Sequence, residues 1–284
     1  MFKSNILALF ILLVIFLPLF LVYRSRDLFR AYKSEVTKGL ESTAAVERQF
    51  LTPDDTGHLP EPVRKYLAYT GVIGREKVIN VRVVTDGEFK TDPRKDWVNV
   101  KTRQYNFFAD PARIYFLKIN MSGVPVVGLH SYANAGARML IKAAGLITVA
   151  DGRGREMDRS ETVTVFNDMC LLAPASLIDK RIRWETVDPL TVRATFDNKG
   201  IIVSALLYFN EKGELINFVS DDRYYSSTGK NYQIVRWSTP VGEYKDFNGV
   251  KLPSHGEAVW HFPGGDYCYA RLNIREVEYN CRGL

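Results

Sequence analysis

Cys268-Tyr269-Ala270-Arg271-Leu272-Asn273-Ile274-Arg275 (CYARLNIR, 268–275) decides the fold. Cys268, Ala270, Leu272 and Ile274 fall on one face of an extended chain; Tyr269, Arg271, Asn273 and Arg275 fall on the other. That period-two pattern belongs to a strand with one packed face and one wet face. Pro263-Gly264-Gly265-Asp266 precedes it as a turn, and Ala258 to Phe262 precedes the turn as another strand. Upstream lie an Asn248-Gly249 turn and the run Tyr232 to Trp237. Gly-Gly and Asn-Gly turns between such runs mark hairpins. Further back, Leu215 to Val219, Ile201 to Phe209 and Val192/Ala194/Phe196 read the same way, and so do Tyr115 to Met121, Val98/Val100 and Val81/Val83. No helix separates these strands within either half of the chain, which excludes parallel crossovers.

Two helical stretches interrupt the pattern. LPEPVRKYLAYTG (59–71) has Pro60 and Pro62 at a helix start and Gly71 at a left-handed end. Residues 158–178 carry Val163, Phe166, Met169 and Cys170 at helical spacing, with Asp158 and Glu161 placed as a capping box and Pro174 as a break before a second short helix. The expected fold is mainly β (α+β): an antiparallel curved sheet or half-barrel with a helical lid over residues 59–284, preceded by an N-terminal transmembrane helix.

That helix is read from Ile6 to Tyr23 (ILALFILLVIFLPLFLVY), an 18-residue run without a charge. At about 1.5 Å per residue it spans roughly a hydrocarbon core. Phe20-Leu21-Val22-Tyr23-Arg24-Ser25-Arg26 lacks small residues for signal cleavage, so residues 1–26 read as an uncleaved anchor of a single-pass inner-membrane protein. Basic residues after the run point to a cytoplasmic domain, while Lys3 and the resemblance described below point to the exported side. Residues 27–58 form a juxtamembrane helix and linker. Leu28, Tyr32, Val36 and Leu40 line one face of that helix; Arg26, Arg30 and Lys33 line another, facing either headgroups or solvent.

The 284 residues carry 38 Lys+Arg against 32 Asp+Glu, a net charge of +6. Half of that excess lies in the first 35 residues, so the rest of the chain lacks a nucleic-acid footprint. Cys170, Cys268 and Cys281 show no metal-ligand or redox spacing. They read as free thiols, with a Cys268–Cys281 pair as the alternative. His58, His130, His255 and His261 lie far apart. His261 reads as a wall residue, and His255 as the best proton carrier if one is needed. Asp221-Asp222-Arg223-Tyr224 reads as a structural ion pair on Arg223, because neighbouring strand residues point to opposite faces. No nucleophile elbow, P-loop or dinucleotide fingerprint is present. No metal or cofactor is expected.

Six patterns taken together resemble an uncharacterised family of bacterial membrane-anchored proteins known only as a domain of unknown function. They are LPEPVRKYL (59–67), GVPVVGLHSY (123–132), LLAPASLI (171–178), IRWETVD (182–188), DDRY (221–224) and FNGVKLPSHGEAVW (247–260). The order helix, meander, helix pair, meander also looks like the LolA-type lipoprotein carriers of the bacterial envelope, whose strand entry resembles Gly249-Val-Lys-Leu-Pro253. Those carriers hold acyl chains between a concave sheet and a helical lid, so the resemblance implies a fold for a hydrophobic ligand. Trp184, Phe196, Leu206, Phe218, Trp237 and Trp260 are the expected cavity wall, against ordinary core packing as the alternative. The leading expectation is a tethered protein that binds a membrane lipid or other hydrophobic ligand without catalysis. A structural or assembly protein of the envelope, with a protein partner not named by the sequence, is the second. A hydrolase is the third; it requires His255 or His261 to converge with Asp221 or Asp222.

Overall fold

A computed structural model describes residues 21–226 and 231–284. The apolar run therefore lies, as far as Phe20, outside the described residues. Among the described residues no helix is long and apolar enough to cross a membrane.

The first half of the chain forms a meander: β1 (Asn80–Phe89), β2 (Val98–Phe107), β3 (Ala112–Met121), β4 (Val124–Ala133), β5 (Gly136–Ala143) and β6 (Ile147–Arg153). The second half forms another: β7 (Ile182–Asp188), β8 (Thr191–Asn198), β9 (Ile201–Phe209), β10 (Leu215–Ser220), β13 (Arg236–Phe247), β14 (Val250–Phe262) and β15 (Gly265–Tyr279). A short ribbon, β11 (Tyr224–Tyr225) with β12 (Gln233–Ile234), stands aside from it. The meanders join where β15 pairs with β1, giving one 13-stranded sheet with β6 and β7 as its edges. Each strand pairing is antiparallel, as the hairpin pattern predicts.

Among the described residues, α1 (Asp27–Thr43), α2 (Glu61–Thr70) and α3 (Arg155–Leu172) accompany the sheet. α3 leads from one sheet edge toward the other and touches β4, β5 and β6 on one side and β9, β10 and β14 on the other. A sheet that meets one helix from both sides has to curl around it. Asn198 of β8 donates to the Tyr132 hydroxyl of β4 at 2.6 Å, so the two arms also meet directly. The curl stays open, because β6 and β7 are not paired with each other.

α3 is more than a lid. Residues on all its faces are buried, from Met157 through Leu171. Its Phe166 packs against Phe196 and Phe218 in the main core, and the Tyr66 hydroxyl of α2 donates to the Cys170 carbonyl. The expected capping box is not formed. The helix follows directly on β6 with its cap at Gly154, four residues earlier than read. Asp158 instead accepts the Ala137 N–H at 2.7 Å, and Glu161 is buried. The anticipated second helix is a single 3-10 turn, Pro174–Ile178. α2 begins at Glu61 and ends at Gly71, whose φ of 73° is open to glycine without strain.

α1 lies on the opposite, convex face. Leu28, Tyr32, Val36 and Leu40 are all buried, against Tyr105, Phe107, Ile114, Phe116, Val127 and Leu129 of β2, β3 and β4. Those strand residues alternate with inward-facing ones such as Gln104, Arg113, Tyr115 and His130, which fixes the two sides of the sheet.

Candidate functional site: the concave cavity

Between α3 and the inner face of the sheet lies a cavity of about 210 Å³. One end is apolar. Phe89 of β1, Leu117 of β3, Val241 of β13 and Leu272 and Ile274 of β15 line it. Alternation on each strand turns these side chains inward, next to a small cluster of Val100, Tyr115, Leu117, Ile119 and Val126.

The other end is charged. Arg113 donates from Nε to Asp168 at 2.8 Å, from Nη1 to Glu161 at 3.4 Å and from Nη2 to the side-chain Oε1 of Gln104 at 3.3 Å. Asp168 also accepts from Gln104 at 2.7 Å and Asn106 at 3.0 Å. Glu161 and Asp168 stand seven residues apart on α3 and so share one face, two turns apart. Burial pushes the Asp168 carboxyl up from its ordinary value, while Arg113 and Asn106 pull it back. His130 of β4 lines the same end. Burial pushes its imidazole down to about 4, although Glu161 draws it upward. The ring is neutral at neutral pH, and its Nε2 is buried without a hydrogen-bond partner.

A second guanidinium completes this end. Arg223 sits 4.0 Å from the Trp237 ring and 5.3 Å from the Trp260 ring. Its Nη1 donates to the Tyr269 hydroxyl at 3.3 Å, and its Nη2 lies 3.9 Å from Glu161. Its Nε is buried without a partner. The ion pair read on Arg223 is a long one, made to Glu161 of α3 rather than to the adjacent acids. Asp221 pairs with Arg236 at 2.7 Å, and Asp222 binds Arg159 and the Ser204 N–H. Both acids precede the arginine in the irregular stretch between β10 and β11, and each is taken by a partner other than Arg223.

The six residues anticipated as a wall divide. Trp237 lines the cavity, and Trp260 stands opposite it across the β13–β14 ladder, 6.5 Å away. Phe196 and Phe218 are fully buried against Phe166. Trp184 is partly buried against the main core, with Nε1 unpartnered. Leu206 lies on the opposite side of β9 from buried Ala205 and Leu207. Both faces of Ile201 to Phe209 are apolar, so pairing register rather than composition decides which one packs. Sequence reading missed the charged end. Its trace is there: Arg113 is in phase with Tyr115, Leu117 and Ile119, and Gln104 and Asn106 are in phase with Val100.

His255 and His261 make their hydrogen bonds to residues other than Asp221 and Asp222, although Arg236 and, more weakly, His261 hold the Asp221 carboxyl below its ordinary value. His255 Nδ1 meets Asn273 at 2.9 Å. His261 has Ser238 Oγ 2.8 Å from Nε2 and Asp266 2.8 Å from Nδ1. These are the distances of a nucleophile, base and orienting acid. Ser238 is only 2 % exposed, however, which leaves a substrate carbonyl no approach to its hydroxyl. The three cysteines are free, and among the described residues no group of three or more His, Cys, Asp or Glu is placed to hold a metal ion.

Residues 49–272 match a family described as a family of unknown function (DUF6544). No curated protein matches the chain. Solved structures similar to it include a proposed outer membrane lipoprotein-sorting protein domain from Vibrio parahaemolyticus, at 9 % identity over 78 % of this chain and 91 % of that one, with a TM-score of 0.42. A DUF1329 family protein from Desulfovibrio piger matches at 10 % identity over 77 % and 92 %, also with a TM-score of 0.42. A LolA superfamily protein from Nitrosomonas europaea matches at 9 % identity over 77 % and 94 %, with a TM-score of 0.39.

Proposed function

This chain belongs to DUF6544, a family of unknown function, and we propose that it is a membrane-tethered binding domain that holds a lipid or other hydrophobic ligand in its concave cavity. The cavity carries the reading: an apolar wall from β1, β3, β13 and β15 closed by α3, with polar groups confined to one end. Small-molecule sites have this composition. The reading calls for no bond-making step.

Two features support the tether. Ile6 to Tyr23 is apolar throughout. Beside the start of α1, where the chain leaves that run, a convex-face groove of about 790 Å³ is lined by Arg26, Lys101, Arg103, Lys118 and Arg275. Lys101 stands directly across the ladder from Lys118. Like charges so placed destabilise a sheet, and anionic headgroups would offset that by about 1 kcal/mol per cation.

Native mass spectrometry of the full-length protein released from nanodiscs tests the cavity. A retained adduct of lipid mass is expected, and Leu272→Trp, which places an indole in the apolar end, should remove it. An adduct that survives Leu272→Trp unchanged would sink the assignment. One observation favours a second reading, an envelope assembly protein: edge strand β6 exposes Ile147 at 69 % and Val149 at 64 %.

A further inference from the structure

We propose that Arg223 is the head-group anchor of the cavity and receives the carboxylate of a single-chain fatty acid. The inference rests on the cavity-binding reading and adds the chemistry of the ligand's polar end. Two arginines, one buried and one largely so, stand there in opposite states. Arg113 has its Nε, Nη1 and Nη2 all engaged by Asp168, Glu161 and Gln104. Arg223, with a side chain 12 % exposed, has one long hydrogen bond to Tyr269 and an Nε with no partner. A buried donor without an acceptor is costly, and native structures seldom keep one without a reason.

The guanidinium is held for this role. Its backbone is pinned on both sides, by Val235 N–H on the Arg223 carbonyl at 3.1 Å and by Tyr224 N–H on Ser160 Oγ at 3.0 Å. Trp237 and Trp260 flank the side chain, so little freedom remains to be lost on binding. Glu161 does not satisfy it, because that carboxylate is hydrogen-bonded to Arg113 and stays 3.9 Å from Arg223.

The planar fork of a guanidinium selects two oxygens on one atom, which a carboxylate offers and an alcohol does not. A doubly charged phosphate would bring more charge up against Glu161. A cavity of about 210 Å³ suits one chain rather than two.

Photolabelling of the full-length protein in phosphatidylcholine nanodiscs tests this, using dodecanoic acid and dodecanol that each carry a terminal diazirine. The acid should label peptides from 80–89, 112–121 and 265–279 about tenfold more than the alcohol. Arg223→Gln should lose about tenfold of that labelling. Arg223→Lys, which keeps the charge but not the fork, should recover only part. Equal labelling by acid and alcohol, or wild-type labelling of either variant, overturns the head-group assignment and leaves the cavity in place. Absence of labelling by both probes removes the cavity as a binding site. If Arg223→Gln melts early, the lysine variant decides: native melting with reduced labelling supports the anchor.

Discussion

Arg113 and Arg223 share the neighbourhood of Glu161, and His130 is packed in beside them with a neutral ring. The free histidine value is about 6.5, and burial in the fold holds His130 at about 4. On acidification the unfolded chain takes up its proton first. The stability His130 contributes is therefore complete above about pH 6.5 and is lost progressively down to about pH 4. Glu161, Arg113 and Arg223 face the ring and set this shift together with burial. Urea midpoints measured from pH 6.5 to 4.5 should fall more steeply for the wild type than for His130→Gln, by at most about 1.4 kcal/mol per pH unit. Parallel curves for the two proteins would show that the imidazole is not held neutral. At this scale the sequence exposed only half of the site. The inward phase of Arg113 and Gln104 can be read from their strands. Arg223 cannot, because its contacts with Trp237, Trp260 and Glu161 come from β13, β14 and α3.

Among the elements, α1 shows how a sequence pattern can announce a packed face without naming its partner. Leu28, Tyr32, Val36 and Leu40 recur at four-residue spacing, so a buried stripe is legible. The surface that receives it, on β2, β3 and β4, is assembled from residues some seventy positions or more away along the chain. Gly39 sits where the fit is closest: a Cβ there would stand 2.4 Å from the ring carbons of Phe107, itself buried. On helix propensity alone Gly39→Ala should stabilise by about 1 kcal/mol. Overpacking against the ring should reverse that sign and leave the protein destabilised by about 1–2 kcal/mol. Thermal or denaturant melts of Gly39→Ala, and of Gly39→Ala with Phe107→Leu, decide the point. A stabilised single variant would mean that α1 does not dock as described; recovery in the double variant would locate the clash at Phe107. α3 teaches the same lesson through Glu161. A capping role suited its position in sequence, but the helix began earlier and left the carboxylate for Arg113.

For the molecule as a whole, the consequential fact is that the sheet does not close. Its ends meet in the middle, β1 on β15, and both free edges lie at the far ends of the two meanders. Exposed edges invite pairing with another chain, and β6 presents Ile147 and Val149 there. If the assembly reading is correct, light scattering of the full-length protein in nanodiscs should report more than one copy, and Ile147→Lys with Val149→Lys should return it to one. A single copy in both cases leaves the binding reading alone in the field. The two readings separate cleanly, since β6 contributes nothing to the lining of the cavity.

Local chemistry sufficed for the antiparallel meanders, for the start and end of α2 and for the buried stripe of α1. These follow from period-two and four-residue spacing, from proline and from a left-handed glycine, all of which act between near neighbours in the chain. Tertiary structure alone decided that α3 is buried on all its faces inside the curl, that Leu206 turns away while Trp237 turns inward, and that two arginines meet one glutamate with unequal shares. Those outcomes depend on register and on which distant surfaces come into contact, and no stretch of sequence carries its partner's position.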